Sequence, residues 1–488
     1  MASLSSALNY ALAGLSASTA QSAVVSRNVS SAGDENYSRK TAEIVSLPNA
    51  GPVVAQISRS SDRLLLDKLM SSASDSTGKR IVSDVLVRMS GLTGDPQDDQ
   101  SIPATLGKLQ DALRTYEQNP SSAALAQSAV EAARTVAEKL NAASVEVSAI
   151  RSDADKSMAD SADRINSLLS QFKVVNGSIV RGQGSASDLS DALDQRDSIL
   201  KLLSEEIGIR TTVRPNNDVL IYAEGGAVLF EGSPRSVSFT MSGYLSPGSP
   251  GNSLLIDGVP VTGTNATMPV TGGKISAYAM VRDNLAPQLS LQLDQMAAGL
   301  INAFAESDPQ LPASLPEVEG LFQGSGTLPS LADSNSGLAA QIRLNPLADP
   351  DQGGSALLVR DGGFGGAGYV RNTAGQSGFQ ARIAELADAI DTTRSFGNWG
   401  GLGGTASLKD FSLKAVSWLE ARRQDAQSSY QAAATVQSRA ANSLAQITGV
   451  NVDQEMSTLL DLEKSYQASS KVLSIVNSML ATLFEAVG

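Results

Sequence analysis

Apolar residues recur at alternating spacings of three and four at both ends of this chain, and that shared pattern limits the fold more than any other feature. Near the start, Leu4, Leu8, Ala11, Leu15, Ser18, Ser22, Val25 and Val29 form one a/d seam. Near the finish, Leu459, Leu462, Tyr466, Ser469, Leu473, Val476, Leu480, Leu483 and Val487 form a second, stronger one. Both seams are thin. Ser18, Ser22 and Ser469 occupy positions where a two-helix coil needs Leu or Ile. The pattern predicts helices that become stable only against partners, and the small side chains favour close packing among many subunits over a closed intramolecular coil.

Composition narrows the function classes. At 488 residues the chain exceeds what one core serves, so several domains are expected. Hydrophobic residues make up 42% but aromatics only 4%, which leaves cores of Ala, Leu, Val and Ile and suits slender helix pairs. There is no Cys and no His. Their absence removes the commonest general base, thiol nucleophiles, disulfides and His- or Cys-ligated metal sites. A formal net charge of −13 repels nucleic-acid phosphates and anionic lipid, so no nucleic-acid partner is expected. No run of about 18 apolar residues is present, and no membrane insertion is expected. The small, apolar stretch from Ala11 to Ala23 is interrupted by Ser, and the first basic residue is Arg27, so a cleavable export signal is not expected.

Turn signals divide the interior. The run Ser30-Ser31-Ala32-Gly33-Asp34-Glu35-Asn36 ends the first helix and leads to a short extended segment from Thr41 to Leu47, and Pro48 with Gly51-Pro52 marks a joint. Helical spacing dominates from Val53 to Gly208, beginning with Ile57, Leu64, Leu65 and Leu69. Short β-type runs follow, including Val219 to Tyr222, Ala227 to Phe230 and Val237 to Met241, separated by Gly and Pro turns. The expected fold is mainly α with an inserted all-β domain. Residues 1–40 form an axial helix pairing with 451–488, and 41–208 form a helical domain. Residues 209–285 form a small β-rich outer domain, and 286–450 return to the helical shell through a loop-rich stretch, 306–404. As an outward appendage, residues 210–272 are expected to tolerate excision.

Two stretches imitate functional motifs. Gly363-Phe364-Gly365-Gly366-Ala367-Gly368 matches G-x-G-x-x-G, but Tyr369-Val370-Arg371-Asn372 continues into another loop where a dinucleotide site needs a helix. A flexible loop is the simpler assignment. Asp333-Ser334-Asn335-Ser336-Gly337 has its Gly misplaced for an EF-hand, and no metal is expected. Asp153, Asp155, Asp160 and Asp163 alternate with Arg151, Lys156 and Arg164, the pattern of a solvated charged face rather than of catalytic carboxylates. No catalytic residue and no cofactor are expected.

The terminal segments resemble those shared by bacterial flagellar axial proteins. At one end the resemblance is carried by Ala11-Leu12-Ala13-Gly14-Leu15-Ser16-Ala17, Asn28 and Tyr37-Ser38-Arg39-Lys40. At the other it is carried by Gly449-Val450-Asn451-Val452-Asp453-Gln454-Glu455-Met456 and Tyr466-Gln467-Ala468-Ser469. Rod and hook proteins share these termini. The interior is narrower: Ile57-Ser58-Arg59 with Asp62-Arg63, Asn119-Pro120, and Leu189 with Asp194-Gln195-Arg196-Asp197 ahead of Leu203-Ser204 resemble the helical domain of the hook-associated protein 1 family. The resemblance covers about residues 1–310 and 405–488. Ser31, Asn36, Lys40 and Glu463 depart from the family's usual Asn, Gly, Gln and Gln.

What the resemblance implies is a structural, non-enzymatic flagellar subunit at the hook-filament junction, forming a ring layer with further copies of itself. The assembly interface would be Leu4, Leu8, Leu15, Val25, Val29, Leu459, Leu462, Tyr466, Leu473, Val476, Leu480 and Leu483. The family-motif residues are Asn28, Tyr37, Ser38, Arg39, Asp194, Arg196, Asp197, Gly449, Asn451 and Glu455. Implied partners are the hook protein, a second hook-filament junction protein, a cytoplasmic export chaperone at the C-terminal helix and the flagellar type III export apparatus, with an extracellular location reached without a cleavable signal peptide. Alternatives are another axial protein (hook, rod or second junction protein) or an exported adhesin with coiled-coil ends.

Overall fold

The computed structural model describes residues 2–48, 50–94, 101–183, 188–243, 245–246, 249–310 and 313–487. Helix α1 (Ala2–Ser30) leads into a hairpin of β1 (Lys40–Leu47) and β2 (Gly51–Arg59). The hairpin turns at Gly51, whose φ of 85° a side chain would strain. Ile57, placed by its spacing on a helix with Leu64, Leu65 and Leu69, instead lies in β2 opposite Ala42.

Four helices follow: α2 (Arg63–Thr93), α3 (Ile102–Gln118), α4 (Ala123–Gly182) and α5 (Ser190–Glu206). The side chains of Asp62, Ser101 and Ser122 accept the N–H groups of Leu65, Ala104 and Leu125, closing the first turns of α2, α3 and α4. At 60 residues, α4 runs for about 90 Å and acts as a spine. Its buried stripe, Ala126, Ala129, Val130, Ala133, Val136, Ala137, Leu140 and onward, serves two cores in succession. Residues through Ala154 belong to the first core; those from Met158 to Ile179 belong to the second.

The second core joins α4 and α5 to two small antiparallel sheets. One is β3 (Ile209–Val213), β4 (Val219–Ala223) and β5 (Val228–Phe230); the other is β6 (Val237–Ser238), β7 (Leu255–Ile256) and β8 (Val259–Pro260). Their inward residues, among them Ile221, Leu229, Phe230 and Ile256, pack with Ile165, Leu169 and Phe172 of α4. Phe172 meets Phe230 edge to face at 4.9 Å. The β region therefore has no core of its own, and excising 210–272 would strip the cover from α4. That corrects the expectation of a dispensable appendage.

The chain returns through α6 (Gly273–Met280), a single π turn (Val281–Leu285) and α7 (Ala286–Ala303). The π turn carries the fully buried Arg282 inward, where it pairs with Asp155 at 2.7 Å and Asp283 at 2.8 Å. Asp155 thus leaves the solvated face that its neighbours suggest: it is 3% exposed, and it also accepts the N–H of Ser242 at 2.7 Å.

Residues 306–404, where only the stretch from Phe379 to Ile390 has amphipathic helical spacing, wrap the first core. They form β9 (Phe322–Gln323) with β10 (Arg343–Leu344), the short α8 (Leu358–Asp361), α9 (Ala381–Ala389), and the hairpin β11 (Arg394–Trp399) and β12 (Leu402–Ala406). Asp294 of α7, fully buried, accepts the N–H groups of Gly337 at 2.9 Å and Ala339 at 2.8 Å and so fixes this wrap. The glycine-rich loop is also tied down from within, since Glu306 accepts the N–H groups of Gly363 and Gly365, both at 2.8 Å. The long α10 (Leu408–Thr448) packs along α2, and α11 (Val452–Val487) packs along α1.

Two outcomes follow from this packing. Phe172→Ala should cost about 3–5 kcal/mol in urea unfolding, and replacing 210–272 by a linker should broaden or abolish the cooperative transition. Burial pushes the Asp294 carboxyl up to about 6, above its unfolded value of about 3.9. The native state then binds the proton more tightly, so unfolding free energy should decline by about 2–3 kcal/mol as pH rises from about 4 to 6. Asp308 and Asp349, held at about 2 by backbone N–H groups and by Arg134 respectively, lose their contribution only as pH falls below about 4. Asp294→Asn should flatten the pH 4–6 slope; an unchanged slope would assign it to other groups.

Candidate functional site: a polar node at the base of the terminal helix pair

Where α1 ends, the turn that follows it and the start of α11 converge on Asn28. This side chain is fully buried and uses its whole hydrogen-bonding capacity. Its amide nitrogen donates to the Lys40 carbonyl at 2.8 Å and to Glu455 Oε2 at 2.9 Å. Its oxygen accepts from the Tyr37 hydroxyl at 2.8 Å and from the Lys40 N–H at 3.0 Å. Burial pushes the Tyr37 phenol up to about 12, so it remains a donor at neutral pH.

Glu455, 1% exposed in the first turn of α11, accepts from Arg39 Nε at 2.6 Å through its other oxygen. A carboxylate there also suits the positive end of the helix dipole. Asn451 Oδ1 accepts the Gln454 N–H at 3.2 Å and caps α11, while the Gly449 N–H closes α10 onto the Ala445 carbonyl at 2.7 Å. A Cβ on Gly449 would collide with that carbonyl. The Arg39 N–H donates to the Thr448 carbonyl at 2.7 Å, locking the hairpin entry to the end of α10.

A second ring of charges surrounds this centre. Asp194 accepts the Ser38 N–H at 3.3 Å and Arg59 Nη1 at 2.9 Å, and Asp197 accepts Arg59 Nη2 at 2.7 Å. The fully buried Lys40 ammonium pairs with Asp191 and with Asp194 and lies 4.3 Å from the Tyr37 ring centroid. Arg196 Nη1 reaches the Asn217 carbonyl at 2.7 Å and Asn176 Oδ1 at 3.4 Å. The structure thus brings all ten motif residues to one region. Sequence reasoning missed Lys40, Arg59 and Asp191 as members of the node, although the charge at position 40, a departure from the family pattern, was the available signal.

Along the helix pair, Val25 and Val476 are buried, and Leu4, Leu8, Leu15, Val29, Leu459, Leu462, Leu473 and Leu480 are half-buried. The side chain of Leu483 lies outside the described residues. Tyr466 is 45% exposed and faces away from the tightest contact. Small residues mark the close approach: Ser18 Oγ donates to Ser465 Oγ at 3.4 Å, and a Cβ on Gly14 would sit 3.2 Å from Ser469 Oγ. A second apolar stripe on α11, comprising Val452, Met456, Leu460, Val472, Ile475 and Met479, is 42% to 56% exposed. Among the described residues no group of three or more His, Cys, Asp or Glu could hold a metal ion. No described helix is long and apolar enough to cross a membrane.

Comparison with known proteins bears on both parts of this architecture. Residues 86–310 match the family model of the flagellar hook-associated protein FlgK helical domain, and residues 443–485 match that of the flagellar basal body rod FlgEFG protein C-terminal segment. The chain is 22% identical over 241 residues to flagellar hook-associated protein 1 of Salmonella typhimurium, covering 47% of this chain and 43% of that one. It is likewise 22% identical over 242 residues to the Escherichia coli protein of the same name, covering 47% and 44%. The flagellar hook junction protein FlgK from Burkholderia pseudomallei is a solved structure with 21% identity and a TM-score of 0.42, covering 53% of this chain and 47% of that one. The matched region spans less than half the length of the curated relatives. Both matched family models are of flagellar proteins: the chain is similar to hook-associated protein FlgK in its helical domain and to rod-type flagellar proteins in its C-terminal segment.

The node makes a direct prediction. Glu455→Ala would leave one Asn28 amide N–H and Arg39 Nε without the carboxylate they share, at a cost of about 3–5 kcal/mol. Amide exchange should speed up in β1, β2 and the first turn of α11 while both cores stay protected; unchanged protection there would show that the node does not hold the helix pair.

Proposed function

We propose that this protein is a structural subunit of the bacterial flagellum that joins hook to filament, forming a ring layer through its terminal helices. The observation that carries the reading is the second apolar stripe on α11, from Val452 to Met479. One side of α11 is covered by α1, and the other presents large apolar side chains that a solitary helix pair leaves in water. Neighbouring copies are the covering that the seam spacing and its small residues suit. On this reading α1 and α11 line the inner tube, the helices around the first core form the next shell, and the β-bearing end lies outermost.

The partners are further copies of the chain, the hook protein on one side and a second junction protein on the other. Before assembly a cytoplasmic chaperone shields α11, and the flagellar type III apparatus exports the chain to the extracellular flagellum. The subunit catalyses no reaction. A second reading, as a rod or hook protein, is favoured by the rod-type match over 443–485.

Adding purified protein to isolated hook ends and imaging them by electron microscopy separates the two: a single added layer at the hook tip supports the junction role, and extended tubes support the other. Ile475→Asp, at a half-exposed position, should leave the monomer's melting unchanged yet abolish addition to hooks. A variant that still caps hooks and supports filament growth would remove this stripe from the assembly interface.

A further inference from the structure

A polar cleft of about 410 Å³ opens beside the node, between α5, the turn after α1 and the turn joining β3 to β4. Its wall contains an anomaly. Arg196 is 4% exposed, yet no carboxylate approaches its guanidinium within ion-pair distance among the described residues; Nη1 is spent on two neutral oxygens and Nε has no partner. The other buried cations are compensated. Arg282 and Lys40 have carboxylates, and Arg151 directs Nε and both Nη groups to carbonyls. A buried, unpaired guanidinium is costly, and the cost falls when an outside group supplies the negative charge.

The lining carries four cations, Arg59, Arg63, Arg196 and Lys201, against four carboxylates, Glu35, Asp62, Asp194 and Asp197, so what it offers is unspent donors rather than net positive charge. Asp194 and Asp197 are both engaged by Arg59, and Asp62 is engaged as the cap of α2. Among the described residues the Lys201 ammonium hydrogen-bonds to Asn36 Oδ1, at 3.5 Å, and to no carboxylate. Glu35 stands on the exposed turn that also borders the cleft. Arg196 and Lys201, a guanidinium and an ammonium, form a pair of donors suited to a small oxyanion.

We propose that this cleft binds an oxyanion, and that in the assembled protein the anion is the Asp or Glu side chain of a second copy of this chain. The inference rests on the assembly reading for its source and on the cleft alone for its chemistry. A chain with 50 acidic and 37 basic residues repels its copies, so packing them requires local pairing of opposite charges. The cleft lies at the root of the helix pair, where copies assembled through α1 and α11 come side by side.

The test uses full-length protein in low salt, titrated calorimetrically with glutarate as the side-chain mimic, glutaramide as its neutral counterpart and inorganic phosphate as the free anion. Glutarate should bind and glutaramide should not, with Arg196→Gln and Lys201→Gln each weakening glutarate by about tenfold. Lys201→Gln, at the half-exposed position, guards against misfolding of the Arg196 variant. Failure of glutarate and phosphate to bind folded wild-type protein overturns the site. Binding of phosphate alone overturns the side-chain source. If the wild-type chain adds to hooks but Lys201→Gln adds equally well at all salt concentrations, the cleft is not part of the contact. If wild-type chain fails to add to hooks while glutarate still binds, the assembly reading fails and the oxyanion site stands.

Discussion

One buried carboxylate decides how the ends of this molecule relate to its middle. Glu455 accepts from Asn28 at the end of α1 and from Arg39 at the start of the hairpin, while belonging itself to the first turn of α11. Two helices and a strand entry are therefore fixed by a side chain that water cannot reach. Networks of this kind contribute less to net stability than to geometry, because a partner shifted by an ångström leaves a desolvated group unmatched. The thin seams tolerate sliding, since Ser and Ala contacts differ little between registers. The node does not, and it sets where along α11 the helix α1 begins to pack.

The body below the node is organised by α4 rather than by separate domains. Its stripe passes from the first core to the second without a break, so the β strands and the loop-rich wrap are two coverings of one rod. The junction of the two cores falls near Ala154 and Met158, where Arg282 and Asp155 meet. An ion pair placed between apolar cores keeps each from invading the other, and its satisfied geometry is the condition for being there at all.

Most of the helical content could be read from spacing, and the terminal seams were the clearest case because their period extends over many turns. The stop at Asn119-Pro120 was legible for the same local reason, but the sequence points to Ser121 as the following cap and the structure uses Ser122. Features that depend on distant segments were not. Asp155 reads as one charge among several on a helix surface until Arg282, separated by 127 residues, arrives beside it. Ile57 fits a helical spacing as well as an alternating one, and only pairing with β1 decides. The ten motif residues were legible individually through resemblance, whereas their convergence depends on chain paths that no local pattern records. Between Glu306 and Gly404 only the amphipathic stretch from Phe379 to Ile390, the helix Ala381–Ala389, has a period to detect; elsewhere the backbone is held by single carboxylates such as Asp294 and Glu306.

The π turn at Val281–Leu285 has a consequence for how this fold accommodates insertions and deletions. Ile275 before it faces the second core, and Leu289 and Leu293 after it face the first. One extra residue in a helix turns everything downstream by roughly 100°, and here that rotation hands the chain from one core to the other. Loss of a single residue in this turn would restore regular helix and point the stripe of α7 away from its core. The helix therefore behaves like a keyed coupling: its two halves are interchangeable in chemistry, but they can be joined at only one angle.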